Sequence, residues 1–463
     1  MMTPSSPLLP RTASADSPPS RLVILYRRLT HPTGYLEHLF LLAMIVLTPL
    51  EDHLPTVGGR SVLFLLFALL ALYVVLVRPW ALAAIWSHPV FLAGYAWLGL
   101  AVLIESLHPH ASYSEHGRIA QMLLGGVLVA ALCRDKRALR MGMYGYLLAA
   151  LWLTALLFLT SYGTLHELQA TDFDEATQAR AEVFKESTFV INLNRMAFFT
   201  AQGAVIALVM ALYAQTLFWR HIYFAATAAC LMGSFLPLSR SGIAIAIAAC
   251  ALVTLSYGIS QRGAYFKSLL KSLLLIAALG GCILALAPEA VFARFSFQTT
   301  YKSGKTEGRA KVYTASLVHM PEYVVSGVGA GNFWGPWGSR SHFATARGLI
   351  GAHNSLIQVT IYWGVLSLGG LCMVLYLAWR CLPQRCGTEA ASLGLLGVSV
   401  TLLLYLMATH VVSFKGFSLG LGLLVGARHW LWPQGVVSGG GLRLASLRPV
   451  PEPFPYRPDP ELQ

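Results

Sequence analysis

Charge is what this sequence has least of. Of its 463 residues, 11% are Asp, Glu, Lys or Arg and 56% are hydrophobic, where a soluble chain of this length carries about 25% charged residues. That shortage excludes an ordinary water-soluble globule. Cysteine is sparse too: Cys133, Cys230, Cys250, Cys282, Cys372, Cys381 and Cys386 all fall in apolar runs or at their basic ends. None lies in a long polar connector, which excludes a disulfide framework, and no CxxC metal spacing occurs. The long polar segment 288–353 has no DxD or paired carboxylate for a metal or glycosidase mechanism. Its "GVGAGNFWG" fits neither a dinucleotide fingerprint nor a Walker loop. No repeat recurs at solenoid periods.

What is present is length and grease. Apolar runs recur from Leu36 to Trp430, each of about 17–25 residues and long enough to cross a bilayer. About twelve spans are predicted, at 35–50, 61–77, 89–106, 119–133, 141–160, 190–213, 221–237, 242–259, 268–287, 354–379, 391–411 and 415–431. The expected fold is an all-α integral membrane protein with a large loop containing short helices between the ninth and tenth spans. Its parts are an N-terminal arm (1–34), spans one to nine (35–287), the loop (288–353), spans ten to twelve (354–431) and a disordered tail (432–463). The arm is rich in Ser, Pro and Arg without an apolar core, so no cleavable signal peptide is predicted.

Basic residues in short connectors set the orientation. Arg11, Arg21, Arg27 and Arg28 lie in the arm, and Arg134, Lys136, Arg137 and Arg140 in "CRDKRALR"; "QRGAYFK", "WRCLPQRC" and the tail are basic as well. Twelve spans put all of these, and both termini, in the cytoplasm. The net charge of +13 is then largely a topogenic signal, and no nucleic-acid partner is expected. The opposite face receives the acid-rich 164–188 and the segment 288–353, where seven basic residues face three acidic ones.

Ionisable groups survive mainly at span ends, and several predicted ones share that opposite face. Arg195 follows "NLN" at the start of the sixth span, Arg240 sits in "LSRSG" before the eighth, and His353 in "GAHNSL" opens the tenth. The loop adds Arg309 in "EGRAKVY", a helix with Ala310, Tyr313, Leu317 and Met320 on one stripe, and a glycine-rich run with Trp334 and Trp337. Each has an ordinary reading: interfacial anchor for an arginine, helix cap for "HN", membrane-interface belt for the tryptophans. Together they suit another task. Guanidinium forks bind phosphate bidentately and stay charged, and an imidazole accepts a proton from a hydroxyl near neutral pH. The tryptophans could stack a sugar. Such a site stabilises an anionic leaving group with cations, without metal or cofactor.

In the order and placement of "LSRSG", "EGRAKVY" and "GAHNSL" around one large loop, the chain resembles the O-antigen ligases, over roughly 35–431. Their superfamily includes O-antigen polymerases and protein O-oligosaccharyltransferases. The resemblance implies an enzyme of the bacterial inner membrane that moves polysaccharide from undecaprenyl diphosphate to a lipid A–core sugar at the periplasmic face, in lipopolysaccharide biosynthesis. It implies diphosphate binding by Arg240, Arg309 and Arg195, and an essential role for His353. A polyprenyl-glycan flippase or transporter is the alternative from another class. Such proteins keep ionisable groups near mid-bilayer, on repeated halves. Here the mid-span positions are apolar and no half-repeat is visible.

Overall fold

The computed structural model describes residues 34–57, 60–162, 193–237, 239–260, 270, 281, 308–340, 343–345, 348–349, 351–383, 386–409 and 415–432. Within them the chain is helical. The helices are α1 (Tyr35–Leu47), α2 (Val62–Val77), α3 (Pro79–Trp86), α4 (Pro89–Ser106), α5 (Ser114–Leu132), α6 (Lys136–Leu157), α7 (Leu193–Tyr213), α8 (Leu217–Phe235) and α9 (Arg240–Ser260). After these come four short helices, α10 (Gly308–Val318), α11 (Met320–Tyr323), α12 (Ala330–Phe333) and α13 (Pro336–Arg340). The long α14 (Ser355–Arg380), α15 (Ala390–Ala408) and α16 (Lys415–Trp430) complete the set. Two antiparallel pairs of two-residue strands are the only sheet among the described residues, Thr56–Val57 with Arg60–Ser61 and Ala344–Thr345 with Gly348–Leu349.

Among the described residues, six helices are long and apolar enough to span a membrane: Pro89–Ser106, Lys136–Thr160, Leu193–Tyr213, Arg240–Ser260, Ser355–Arg380 and Ala390–Ala408. A seventh would combine α2 and α3, which bend by 104° at Arg78. The protein is therefore an α-helical membrane protein. The predicted span 268–287 lies outside the described residues apart from Leu270 and Gly281, as do 164–188, the arm apart from Gly34 and the tail apart from Trp432.

Local sequence marks the helix starts. Ser61, Asp135 and Thr216 cap α2, α6 and α8 by accepting the amides of Phe64, Ala138 and Trp219. Pro79 and Pro89 occupy first turns, where the missing N–H costs nothing. Packing then rests on small residues, as expected where lipid gives helices no hydrophobic drive to associate. α7 is the most enclosed candidate span, with 83% of its apolar window buried, and it touches α6, α8, α9 and α15. A Cβ at Gly203 would overlap the Ala150 Cβ of α6, and one at Gly242 would overlap the Ala197 Cβ where α9 meets α7.

One helix is broken. α14 leaves helical geometry at Trp363 (φ −135°, ψ 15°) and Gly364 (φ 73°, ψ −175°). A break inside a membrane helix frees backbone groups that must find partners, and here the loop supplies them. Val328 N donates to Ile361 O (2.8 Å), Gly329 N to Tyr362 O (2.9 Å), and Val365 N to Val324 O (2.7 Å). A side chain at Gly364 would collide with the Val325 carbonyl. Gly327, Gly329 and Gly331 of "GVGAGNFWG" therefore serve close approach to the bundle.

Candidate functional site

α7 and α9 start side by side. Ser239 Oγ donates to Asn194 Oδ1 at 2.9 Å and accepts the Gly242 amide at 3.3 Å. The residue after each of these anchors is arginine. Arg195 is exposed on the first turn of α7, and Arg240 is half-buried as the first residue of α9. Free backbone N–H groups at a helix start carry partial positive charge, so two adjoining starts with two guanidiniums favour an anion.

His353 heads α14 by another device. Asn354 caps the helix, accepting the Leu356 (2.9 Å) and Ile357 (3.2 Å) amides. On the other side of His353, Ala352 N donates to the buried Gln358 Oε1 at 2.5 Å. With both neighbours tied to the same helix, the chain at His353 is forced to φ 52°, the one non-glycine residue with positive φ among those described. A left-handed L-residue costs about 1–2 kcal/mol, and such strain persists only where its surroundings over-determine it. Glycine would fit this turn without strain, yet an imidazole is there.

The tail of α15 joins the two parts. Asn354 Nδ2 donates to Met407 O (3.1 Å) and Ser355 Oγ to Thr409 O (2.7 Å). One turn back, Tyr405 stacks on Phe198 of α7 at 4.2 Å between ring centroids. Arg195, Arg240 and His353 thus belong to helix starts linked through directly contacting residues.

Arg309 is the second residue of α10, and its side chain lies outside the described set. The buried face of α10 is Val312, Ala315 and Ser316, with the Tyr323 hydroxyl donating to Ser316 O at 2.5 Å. Of the predicted stripe, Leu317 is 72% exposed, and Met320, 44% exposed, opens α11 instead of continuing α10. Small residues let the short helix sit close, and its larger apolar side chains turn outward. Trp334 is 42% exposed, its indole N–H donating to Tyr362 Oη at 2.6 Å. Trp337 is packed between Phe333 and Phe343, at 6.1 and 5.7 Å, and donates to Glu322 Oε2 at 2.7 Å. Its ring is committed to the loop's own core. That bond and one from His319 hold the Glu322 carboxyl below the usual carboxylate range.

The residue that sequence reasoning passed over is Glu105, the penultimate residue of α4, fully buried. Its Oε1 accepts from Ser112 N (2.8 Å) and Gly331 N (3.1 Å), its Oε2 from Ala330 N (2.7 Å) and Trp363 Nε1 (2.9 Å). The signal was an acid closing an apolar run, in "AVLIESLHPH". Among the described residues no three His, Cys, Asp or Glu gather as ligands for a metal ion. A scan against protein-family models and a search of curated proteins gave no match to this chain.

Proposed function

We propose that the protein is a membrane glycosyltransferase of the O-antigen ligase type, moving polysaccharide from undecaprenyl diphosphate to a lipid A–core sugar. In this reading the chain crosses the bacterial inner membrane about twelve times with both termini cytoplasmic. The starts of α7, α9 and α14 face the periplasm. Arg240, Arg195 and Arg309 hold the donor diphosphate, and the polyprenyl tail lies among the helices. Trp334, 42% exposed, stacks a sugar of the donor or acceptor.

The acceptor hydroxyl oxygen attacks the anomeric carbon from the side opposite the diphosphate, with inversion. Its proton passes to His353, the new C–O bond forms, and the bond to phosphate breaks with its electron pair leaving on the diphosphate. The arginines stabilise that developing charge, and the chemistry asks for no metal or cofactor. The observation that carries this reading is the strained backbone of His353 at a helix start tied to two arginine-bearing ones.

The transporter reading draws on the break in α14, since broken helices hold substrates in many transporters. The chain's own loop amides bond to Ile361 O and Tyr362 O at that break, which favours a docked loop over a substrate path. Purified full-length protein, offered donor with both a core-lipid acceptor and a second lipid-linked glycan, decides among the choices. Transfer to core lipid supports a ligase, and lengthening of the lipid-linked chain a polymerase. Transfer to a peptide hydroxyl would mark a protein O-oligosaccharyltransferase. Wild-type rates in Arg240→Ala and His353→Ala would refute the site.

A further inference from the structure

The Glu105 carboxylate binds three separate stretches of chain: the α4–α5 connector through Ser112, the start of α12 through Ala330 and Gly331, and the break of α14 through Trp363. All four donors aim at one fully buried group. A carboxylate there costs several kcal/mol unless its oxygens are bonded, and four short bonds to donors satisfy it. Trp363 is fixed on its other sides as well. The ring of His116, 4% exposed, lies 4.7 Å from it, and those of Tyr362 and Trp97 lie 5.4 and 6.4 Å away.

Trp363 stands at the base of a short helix. Beyond the break, α14 is held against α4, where Trp97 Nε1 donates to Ser367 Oγ at 2.9 Å. Before it, Ser355–Tyr362 is a separate piece about 12 Å long. That piece carries His353 at its top through the Asn354 cap and the Gln358–Ala352 bond. The base is held by Glu105, and so are Ala330 and Gly331, just after the strand of loop that fills the break.

We infer that Glu105 is a positioning residue: through Trp363 and the half-helix Ser355–Tyr362 it sets the placement of His353, and through Ala330 and Gly331 it locks the large loop onto the bundle. The link to His353 chemistry rests on the transferase reading above; the locking of the loop does not. Without the carboxylate, four donors lose their common acceptor, and the half-helix can pivot at Gly364. His353 would remain folded onto its cap but off its line of approach.

Hydrogen exchange of the full-length protein in detergent tests the lock without any turnover. Glu105→Gln presents an amide N–H₂ where an acceptor is needed. Exchange across 324–334 should then rise at least about tenfold while α7 stays protected. Unchanged exchange there would overturn the lock. If Glu105→Gln does not fold, Trp363→Phe keeps a ring and removes one donor, and the same measurement applies with a smaller rise.

Kinetics test the positioning. Glu105→Gln should lower kcat about tenfold or more with donor KM within about threefold. In a His353→Ala background it should lower kcat little further, because both changes act through one group. Full multiplication of the two losses, or an effect confined to KM, would overturn positioning through His353. A wild-type protein that transfers no glycan would remove the transferase reading and this positioning role, while exchange would still decide the lock.

Discussion

The two ends of α5 hold charge in opposite ways. Beyond its C-terminus, Glu37 and Arg78 form a buried ion pair at 2.5 Å, and Tyr73 donates to the same carboxylate. His38 sits 3.5 Å from Asp135. The Arg134 guanidinium lies 4.3 Å over the Trp80 ring and 5.7 Å from Trp430, and burial pushes its pKa down to about 10. These charges answer one another at close range, so this end reads as a fastening. Near its N-terminus the buried acid Glu105 is instead bonded by neutral N–H donors, and elsewhere in the chain Arg195 and Arg240 stand on helix starts whose dipoles add to their charge. One end holds its buried carboxylate with a cation, the other with neutral donors.

That contrast breaks most sharply at His353. Replacing it by glycine relieves the left-handed backbone and should leave the fold about 1 kcal/mol more stable than His353→Ala does, while transfer falls about 10²–10⁴-fold for loss of a general base. Thermal unfolding and transfer rate on the same preparations check both; a His353→Gly protein no more stable than His353→Ala would contradict the strain. Next comes Arg240→Ala, expected to cost about 10²–10³ in rate with the fold intact. Arg240→Lys should restore little, since an ammonium lacks the bidentate fork. Arg134→Ala should do the reverse, lowering the unfolding temperature and leaving the rate per folded molecule unchanged.

Legibility in the sequence followed the same division. Apolar length gave Pro89–Ser106 to the residue and placed α1, α2, α5 to α9 and α14 to α16 within about five residues of their bounds, but it gave no helix at Pro79–Trp86. "LSRSG" and "GAHNSL" each head a helix, as their Ser and Asn caps imply. The bend at Arg78, the break at Trp363 and the role of Glu105 were not legible. Each depends on a partner far along the chain: Glu37 for Arg78, Val324–Gly329 for the break, Ala330 and Gly331 for Glu105. The loop glycines depend on distant partners too, since Gly327, Gly329 and Gly331 approach Tyr362, His108 and His110.

A smaller effect follows at Gly364. Gly364→Ala forces a side chain into the left-handed region and onto the Val325 carbonyl, and should cost about 1–3 kcal/mol, with exchange protection lost in 324–329 before α7. Loss of both together would mean that the loop is not a separable element.

The smallest expected effect is on pH. His88 caps α4 in its neutral form, and burial followed by the nearby His429 and Arg428 lowers its pKa to about 4. The unfolded chain binds a proton near pH 6.5 that the folded one refuses. Stability from this end should therefore fall as pH drops from about 6.5 to about 4, then level off. His88→Gln should make the fall over that window shallower by thermal unfolding. At the opposite end the Glu322 contribution is lost at lower pH, as pH falls through and below the usual carboxylate range.

The proposed role of Arg195 and Arg240 is to hold a lipid diphosphate. Binding of undecaprenyl diphosphate to purified full-length protein, compared with Arg195→Ala/Arg240→Ala and with Arg134→Ala, tests that role most directly. Binding should be at least about a hundredfold weaker in the first variant and of wild-type affinity in the second. Equal affinity in all three would contradict the role.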